Sequence, residues 1–213
     1  VFQPMVNLVT ILLIVLGGLG YIVWWDVLRV LKKIRTQKLK CFRQLTLHSK
    51  IALTMTVSLI LIGAAAFYVF EYNNPLTMKD FTNGQRILAS LFQSVTTRTA
   101  GFATIPQQNL TNTSAIISVL LMLVGGSPVG TAGGIKTVTI AVLLVSMFAT
   151  IRNKEDAELF HRNIPKQAVD KSVAVVSMFF LIASLSTILL SAVTDADVID
   201  IVYETVSATA TVG

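Results

Sequence analysis

Two short segments of this chain carry residue types and spacings that can do chemistry. Thr99-Ala100-Gly101-Phe102 follows the apolar piece 87–97, "ILASLFQSVTT", and Thr211-Val212-Gly213 follows the helical candidate 198–209, "VIDIVYETVSAT". A Thr-x-Gly behind a short helix suits a dehydrated monovalent cation. The helix aims its partially negative C-terminal end at the turn. Glycine opens backbone conformations closed to other residues, so Gly101 and Gly213 can turn their carbonyls toward an axis. A set of carbonyl oxygens then replaces the ion's water shell. One such turn alone reads as well as a helix cap in a surface loop; two, each behind a half-length apolar helix, point to ion coordination. The short helices also match weakly in register, Phe92 with Tyr203, Gln93 with Glu204 and Val95 with Val206, and one extra residue then precedes the second Thr-x-Gly.

A third segment, "GGSPVGTAGGIKT" (125–137), interrupts the apolar stretch 110–151, whose single charge is Lys136. As one helix that stretch would run about 63 Å, twice the hydrocarbon thickness. Pro128 removes a backbone donor and clashes with the preceding turn. Gly125, Gly126, Gly130, Gly133 and Gly134 each weaken a helix by about 1 kcal/mol relative to alanine. A break at membrane depth is therefore expected. Ser127 and Thr131 offer hydroxyls to the freed backbone groups, and Lys136 can pair with a carboxylate or a carbonyl and hold the loop across a narrow path. The expectation is an intramembrane gate beneath the carbonyl turns; the plainer alternative is a packing kink. The segment is not a phosphate-binding loop, because Ile135 separates Gly134 from Lys136 and breaks the Gly-Lys-Ser/Thr spacing.

The elements that must position these segments follow from composition. The 213 residues are 54% hydrophobic and 13% charged, with a mean hydropathy of +0.72, where a soluble domain carries about a quarter charged residues. Stretches 5–25, 51–70 and 172–194 contain no charge and each reaches the roughly 20 residues a spanning helix needs. Residues 1–25 lack the basic start and cleavage site of a secretory signal, so a membrane span is expected there. Segment 26–50 holds eight Lys/Arg and one Asp, +7 of a chain total of +6, so the remainder is −1. The positive-inside rule puts this segment in the cytoplasm, with 152–171 and its five bases beside it. Stretch 71–86 and the acidic 195–204 fall outside. From the outside at 86 to the inside at 152 the chain must cross an odd number of times. Piece 87–97, about 16 Å as a helix, is too short to cross and must enter and return. Non-helical backbone is tolerated there only if it is buried in protein or lines a water-filled path.

Other residues take structural readings. Arg98, at the end of the first short helix, is expected to form a buried salt bridge, with Glu204 as the candidate partner, since a bare cation there would repel a permeating ion. His48 and His161 have no Cys or carboxylate at ligand spacing, and no metal site is expected of them. The lone Cys41 excludes an internal disulfide and sits in basic, reduced surroundings. Asn109-Leu-Thr111 and Asn112-Thr-Ser114 match the glycosylation sequon by chance. Segment 26–50, with Val27, Leu31, Ile34 and Leu45 on an intermittent apolar face, either docks a cytoplasmic partner or lies on anionic lipid. No nucleic-acid partner and no enzymatic activity are expected.

"QSVTTRTAGF" followed by "GGSPVGTAGGIKT" resembles the Trk/Ktr/HKT superfamily of potassium transporters, most of all the bacterial Ktr-type membrane subunit. "SVTTRTAGF" is similar to that family's third pore loop and "ATVG" to the beginning of its fourth filter. The resemblance implies an all-α integral membrane fold of pseudo-fourfold repeats: transmembrane helix, re-entrant pore helix, filter loop, transmembrane helix. About half of that plan is present. Residues 1–50 would be the closing helix of a preceding repeat plus a basic cytoplasmic connection. Residues 51–151 would be a complete pore repeat with a broken second helix, and 152–213 a connection and the start of the last repeat. The first repeat, the second filter and the final span would be missing. The resemblance further implies a potassium ion as cargo, with sodium possible as a coupled or stimulating ion, held by the backbone carbonyls of Gly101 and Gly213. It implies a gating loop at 125–137, a homodimer, a cytosolic nucleotide-binding RCK/KTN ring as partner, and a multi-pass location in the inner or plasma membrane. The first turn, Thr-Ala-Gly-Phe, lacks the second glycine of a potassium-channel signature, so weaker selectivity is expected. A secondary carrier with broken helices at a midplane site is the alternative; it does not predict two half-helices each closed by Thr-x-Gly. A non-transporting scaffold would gain nothing from buried, breakable loops. The orientation predicts that Cys41 in intact cells resists an impermeant thiol reagent and reacts in inside-out vesicles; labelling from outside would overturn it.

Overall fold

The computed structural model describes residues 3–31, 44–154, 156–160 and 162–213. These residues are mostly helical. The helices in chain order are α1 (Pro4–Gly18), α2 (Tyr21–Leu31), α3 (Leu47–Glu71), α4 (Asn83–Thr96), α5 (Asn112–Leu123), α6 (Thr137–Ile151), α7 (Lys166–Ser191) and α8 (Val198–Thr209). One short antiparallel pairing, Glu158–Leu159 with Arg162–Asn163, lies between α6 and α7.

Helix lengths sort the elements. α3 and α7, with 25 and 26 residues, are long and apolar enough to cross a bilayer. α4 and α8, with 14 and 12 residues, reach about 21 and 18 Å and fall short. α8 occupies the stretch expected for it. α4 begins four residues earlier than the apolar pattern suggests, because Thr82 caps it: the Thr82 N–H donates to Gln85 Oε1 at 2.9 Å. The stretch 110–151 is broken between Leu123 and Thr137 into α5 and α6.

The first apolar stretch departs from its expectation. Residues 5–25 were to form one span; instead α1 and α2 meet at an angle of 98°. Gly20, at φ 73°, makes the turn. The bend frees the Gly18 carbonyl, which accepts the Ser127 N–H at 2.9 Å. Trp24 Nε1 donates back to Leu16 O at 3.0 Å and braces the corner.

Large apolar side chains point outward. Leu61 and Ile62 on α3 and Leu181, Leu185, Ile188 and Leu189 on α7 are exposed, as lipid-facing residues are. The interior mixes apolar residues such as Phe67, Phe92 and Val95 with polar ones: Ser90, Gln93, Ser94 and Thr97 of the α4 segment are buried too. Ser94 Oγ donates to Ile60 O on α3 at 2.8 Å. In a bilayer, close packing and interhelical hydrogen bonds take over the role that hydrophobic burial has in water.

Two buried carboxylates repeat one device at the starts of α3 and α5. Asp26 accepts the N–H and hydroxyl of Thr46 at 2.7 and 2.9 Å, and Thr46 Oγ1 accepts the Ser49 N–H at 3.3 Å. Glu71, at the end of α3, accepts the N–H and hydroxyl of Thr111 at 2.9 and 2.8 Å, and Thr111 Oγ1 accepts the Ser114 N–H at 3.3 Å. Each Thr-x-x-Ser thus caps its helix while a carboxylate from an earlier helix grips the cap. Glu71 also accepts from Asn74 Nδ2 at 2.7 Å and Thr77 Oγ1 at 2.5 Å, so its four donors are all neutral. Removing it strands several buried donors. Glu71→Leu should lower stability by about 3 kcal/mol and Thr111→Val by less, since the other donors stay paired. Thermal unfolding of the full-length protein in detergent checks this; equal midpoints for wild type and Glu71→Leu would refute it.

Candidate ion path and intramembrane loop

The two Thr-x-Gly turns are built alike. Behind α4, the Ala100 and Gly101 N–H groups return to Thr96 O at 3.2 and 3.3 Å. Behind α8, the Val212 N–H returns to Ser207 O at 2.8 Å. Thr99 and Gly101 stand at φ 64° and 70°, and Thr211 and Gly213 at 58° and 111°. Left-handed backbone at a β-branched threonine is strained by about 1–3 kcal/mol, and it occurs in both copies. Hydroxyls from the two half-helices hold the turns: Thr96 Oγ1 donates to Phe102 O at 2.5 Å and Ser207 Oγ to Gly213 O at 2.9 Å. The turns also meet. A Cβ added to Gly101 would run into the carbonyl oxygen of Val212. Thr99 and Ala100 are half-buried, Val212 is buried, and Gly101, Phe102, Thr211 and Gly213 are exposed.

The loop 124–136 lies against these turns. Its neck is closed by three backbone bonds: Gly125 N–H to Ile135 O at 2.9 Å, Ile135 N–H to Leu123 O at 3.1 Å, and Thr137 N–H to Gly126 O at 3.1 Å. Ser127 is fully buried. Pro128 O sits at the Gly20 corner, and Gly130 packs on Gly18 and Gly20. Gly133 comes so close to Thr211 Oγ1 and Ala210 O that no side chain fits there. Gly134 takes φ 64°.

Two side-chain expectations need correction. Ser127 Oγ lies 3.5 Å from Thr137 Oγ1 rather than on a backbone group; the serine acts through its N–H to Gly18. Thr131 is exposed and makes no side-chain hydrogen bond. Lys136, half-buried, takes the carbonyl alternative and donates to Ala132 O within the loop itself.

Arg98 makes no salt bridge to Glu204, which is exposed. The residue is 8% exposed. Nη1 donates to Thr56 O at 3.4 Å; Nη2 donates to Thr56 Oγ1 and to Gly125 O, both at 3.3 Å. Thr56 on α3 and the first loop glycine are simply nearer than α8. The arginine therefore ties the first turn to the loop. Beside it is a cavity of about 10 Å³, room for about one water. Thr56, Gly18 and Gly20 were absent from the sequence expectations. The cluster Gly17-Gly18-Leu19-Gly20 was the available signal, as glycines this dense inside an apolar stretch mark a break. His48 lies in the first turn of α3, while Cys41, His161 and Ile34 fall outside the described residues. Among the described residues no three His, Cys, Asp or Glu side chains cluster as metal ligands do.

Comparison with known proteins agrees with this architecture. The chain is 35% identical over 211 residues to the Ktr system potassium uptake protein B of Vibrio alginolyticus, covering 99% of this chain and 45% of that protein. It is 35% identical over 208 residues to the potassium/sodium uptake protein NtpJ of Enterococcus hirae, covering 94% and 43%. The chain thus spans under half the length of these relatives. Its fold matches the crystal structure of the potassium transporter TrkH from Vibrio parahaemolyticus with a TM-score of 0.72 at 15% identity, over 98% of this chain and 44% of that one. The TrkH family, described as cation transport proteins, matches residues 2–213. The chain belongs to that family and is a multi-pass, mostly helical membrane protein.

Proposed function

We propose that this chain carries part of a potassium-uptake path whose selective segment is lined by backbone carbonyls of Thr99, Ala100, Gly101 and Phe102 and of Thr211, Val212 and Gly213. One observation carries the reading: two separate Thr-x-Gly turns adopt left-handed φ at both the threonine and the glycine and touch at Gly101 and Val212. Left-handed residues at alternate positions flip alternate peptide planes, so carbonyls of successive residues can face one side instead of opposite sides. Such an array replaces the hydration shell of a bare cation. Potassium is the ion named for the relatives at 35% identity, and sodium is named beside it for one of them; sodium is thus the second ion of the proposal. The loop 125–137 is the gate. It packs on the second turn at Gly133 and hangs from the first through Arg98. A homodimer and a cytosolic nucleotide-binding RCK/KTN ring complete the proposal. The basic 26–50 segment is the cytoplasmic surface offered to that ring.

Rubidium uptake by cells producing the full-length transporter tests both parts. Gly101→Ser forces a side chain into a left-handed position against Val212 O and should lower the preference for potassium over sodium; unchanged selectivity would sink the carbonyl filter. Uptake that tracks an organic substrate instead would favour the carrier. Deleting Ser127–Gly133 joins Gly126 to Gly134 and forces the parallel neck at Val124 and Ile135 to rearrange; it should raise flux if the loop obstructs the path. A well-inserted deletion protein with equal or lower flux would make the loop a packing element.

A further inference from the structure

Behind the first turn the chain returns along α4 as residues 102–109, and one side chain there makes contacts that neither the turn nor the loop accounts for. Gln107 Oε1 accepts from Gln93 Nε2 at 2.7 Å and from Tyr203 Oη at 2.9 Å. Gln107 Nε2 donates to Gln93 Oε1 at 3.1 Å and to its own neighbour Ile105 O at 3.0 Å. Both protons and both lone pairs of one carboxamide are in use. Gln93 is fully buried in α4, and Ile105 is buried against Met78 and Ala89. Tyr203 belongs to α8, so its hydroxyl bond crosses from one repeat to the next. A single neutral amide therefore joins the first half-helix, the strand leaving its turn, and the second half-helix.

These are the same half-helices whose turns touch at Gly101 and Val212. Sliding α8 against α4 changes the spacing of the two turns, and hence how well their carbonyls fit one ion rather than another. We propose that Gln107 is a positioning residue for ion selectivity, fixing the separation of adjacent turns through Gln93 and Tyr203. The inference rests on the carbonyl-filter reading. No other side chain substitutes well: glutamate lacks the two donors, leucine lacks all four groups, and asparagine is one methylene short. The network carries no formal charge, so it shapes the path without repelling or trapping a cation.

The test is competitive rubidium uptake by the full-length transporter with sodium as competitor, read as the ratio of apparent affinities, with membrane insertion and detergent melting measured in parallel. Tyr203→Phe keeps the ring and removes one bond; it should lower the potassium-to-sodium ratio by about fivefold. Gln107→Leu removes four bonds and should lower it further, and Gln107→Glu should not restore it. A Gln107→Leu protein that fails to insert leaves Tyr203→Phe as the deciding variant. Reduced flux at an unchanged ratio in Tyr203→Phe overturns the proposal, since it marks a purely structural bond. The control is Gly101→Ser. If it shifts the ratio while Tyr203→Phe does not, the clamp fails and the filter stands; if neither shifts it, the filter reading itself fails.

Discussion

Backbone at membrane depth has no water to bond to, and every interruption of a helix there must find its partners inside the protein. Four interruptions occur in the described residues: the corner at 19–20, the turns at 97–101 and 210–213, and the loop 124–136. Three of them, the corner, the first turn and the loop, supply partners to one another. The corner exposes Gly18 O, and the loop supplies Ser127 N–H to it. The loop exposes Gly125 O, and the first turn supplies Arg98. The loop also closes its own neck through Gly125, Ile135 and Thr137, and Lys136 donates to Ala132 O within it. Removing the corner or the first turn alone would strand a group of the loop. That interdependence explains why a straight first span is not found: a continuous helix through Gly20 would withdraw the acceptor that seats the loop.

The buried charges follow the same constraint. In low dielectric an isolated ion costs several kcal/mol and needs several hydrogen bonds around it. Asp26 meets this with Thr46 and Arg29, Glu71 with Thr111, Thr77 and Asn74. Arg98 and Lys136 meet it with carbonyl oxygens rather than carboxylates. The division has an electrostatic consequence. A carboxylate paired with Arg98 would cancel its charge. The Thr56 hydroxyl and the Thr56 and Gly125 carbonyls fix the guanidinium with dipoles alone and leave its positive charge in place, with the buried Nε unpartnered.

The periodic and compositional features were legible. Charge-free lengths predicted α3 and α7, half-length apolar runs predicted α4 and α8, and Gly and Pro predicted the break between α5 and α6, because each rests on local chemistry. What was not legible depends on distant partners. Glu71 and Asp26 counted in the sequence only as charges near span ends; nothing local says that a Thr-x-x-Ser cap will come to sit on them. Arg98 was assigned a carboxylate because buried arginines usually have one, whereas the fold brings a carbonyl closer. The left-handed conformations of Thr99 and Thr211 had no signal at all, since a β-branched residue is the last to be expected there. That strain persists because the contacts around it, the Thr96 and Ser207 hydroxyls and the opposing turn, leave the backbone no relaxed alternative.

The two repeats are alike without being equal. Their helices correspond at one offset: Thr96 and Ser207 each send a hydroxyl six residues forward. Their turns correspond at an offset one residue larger, with Thr99 matching Thr211 and Gly101 matching Gly213 in φ. The extra residue lies between Ser207 and Thr211, where α8 continues to Thr209 while α4 ends at Thr96. A path assembled from separate identical subunits could not carry such a difference, because each subunit would impose the same offset between helix and turn; repeats within one chain can.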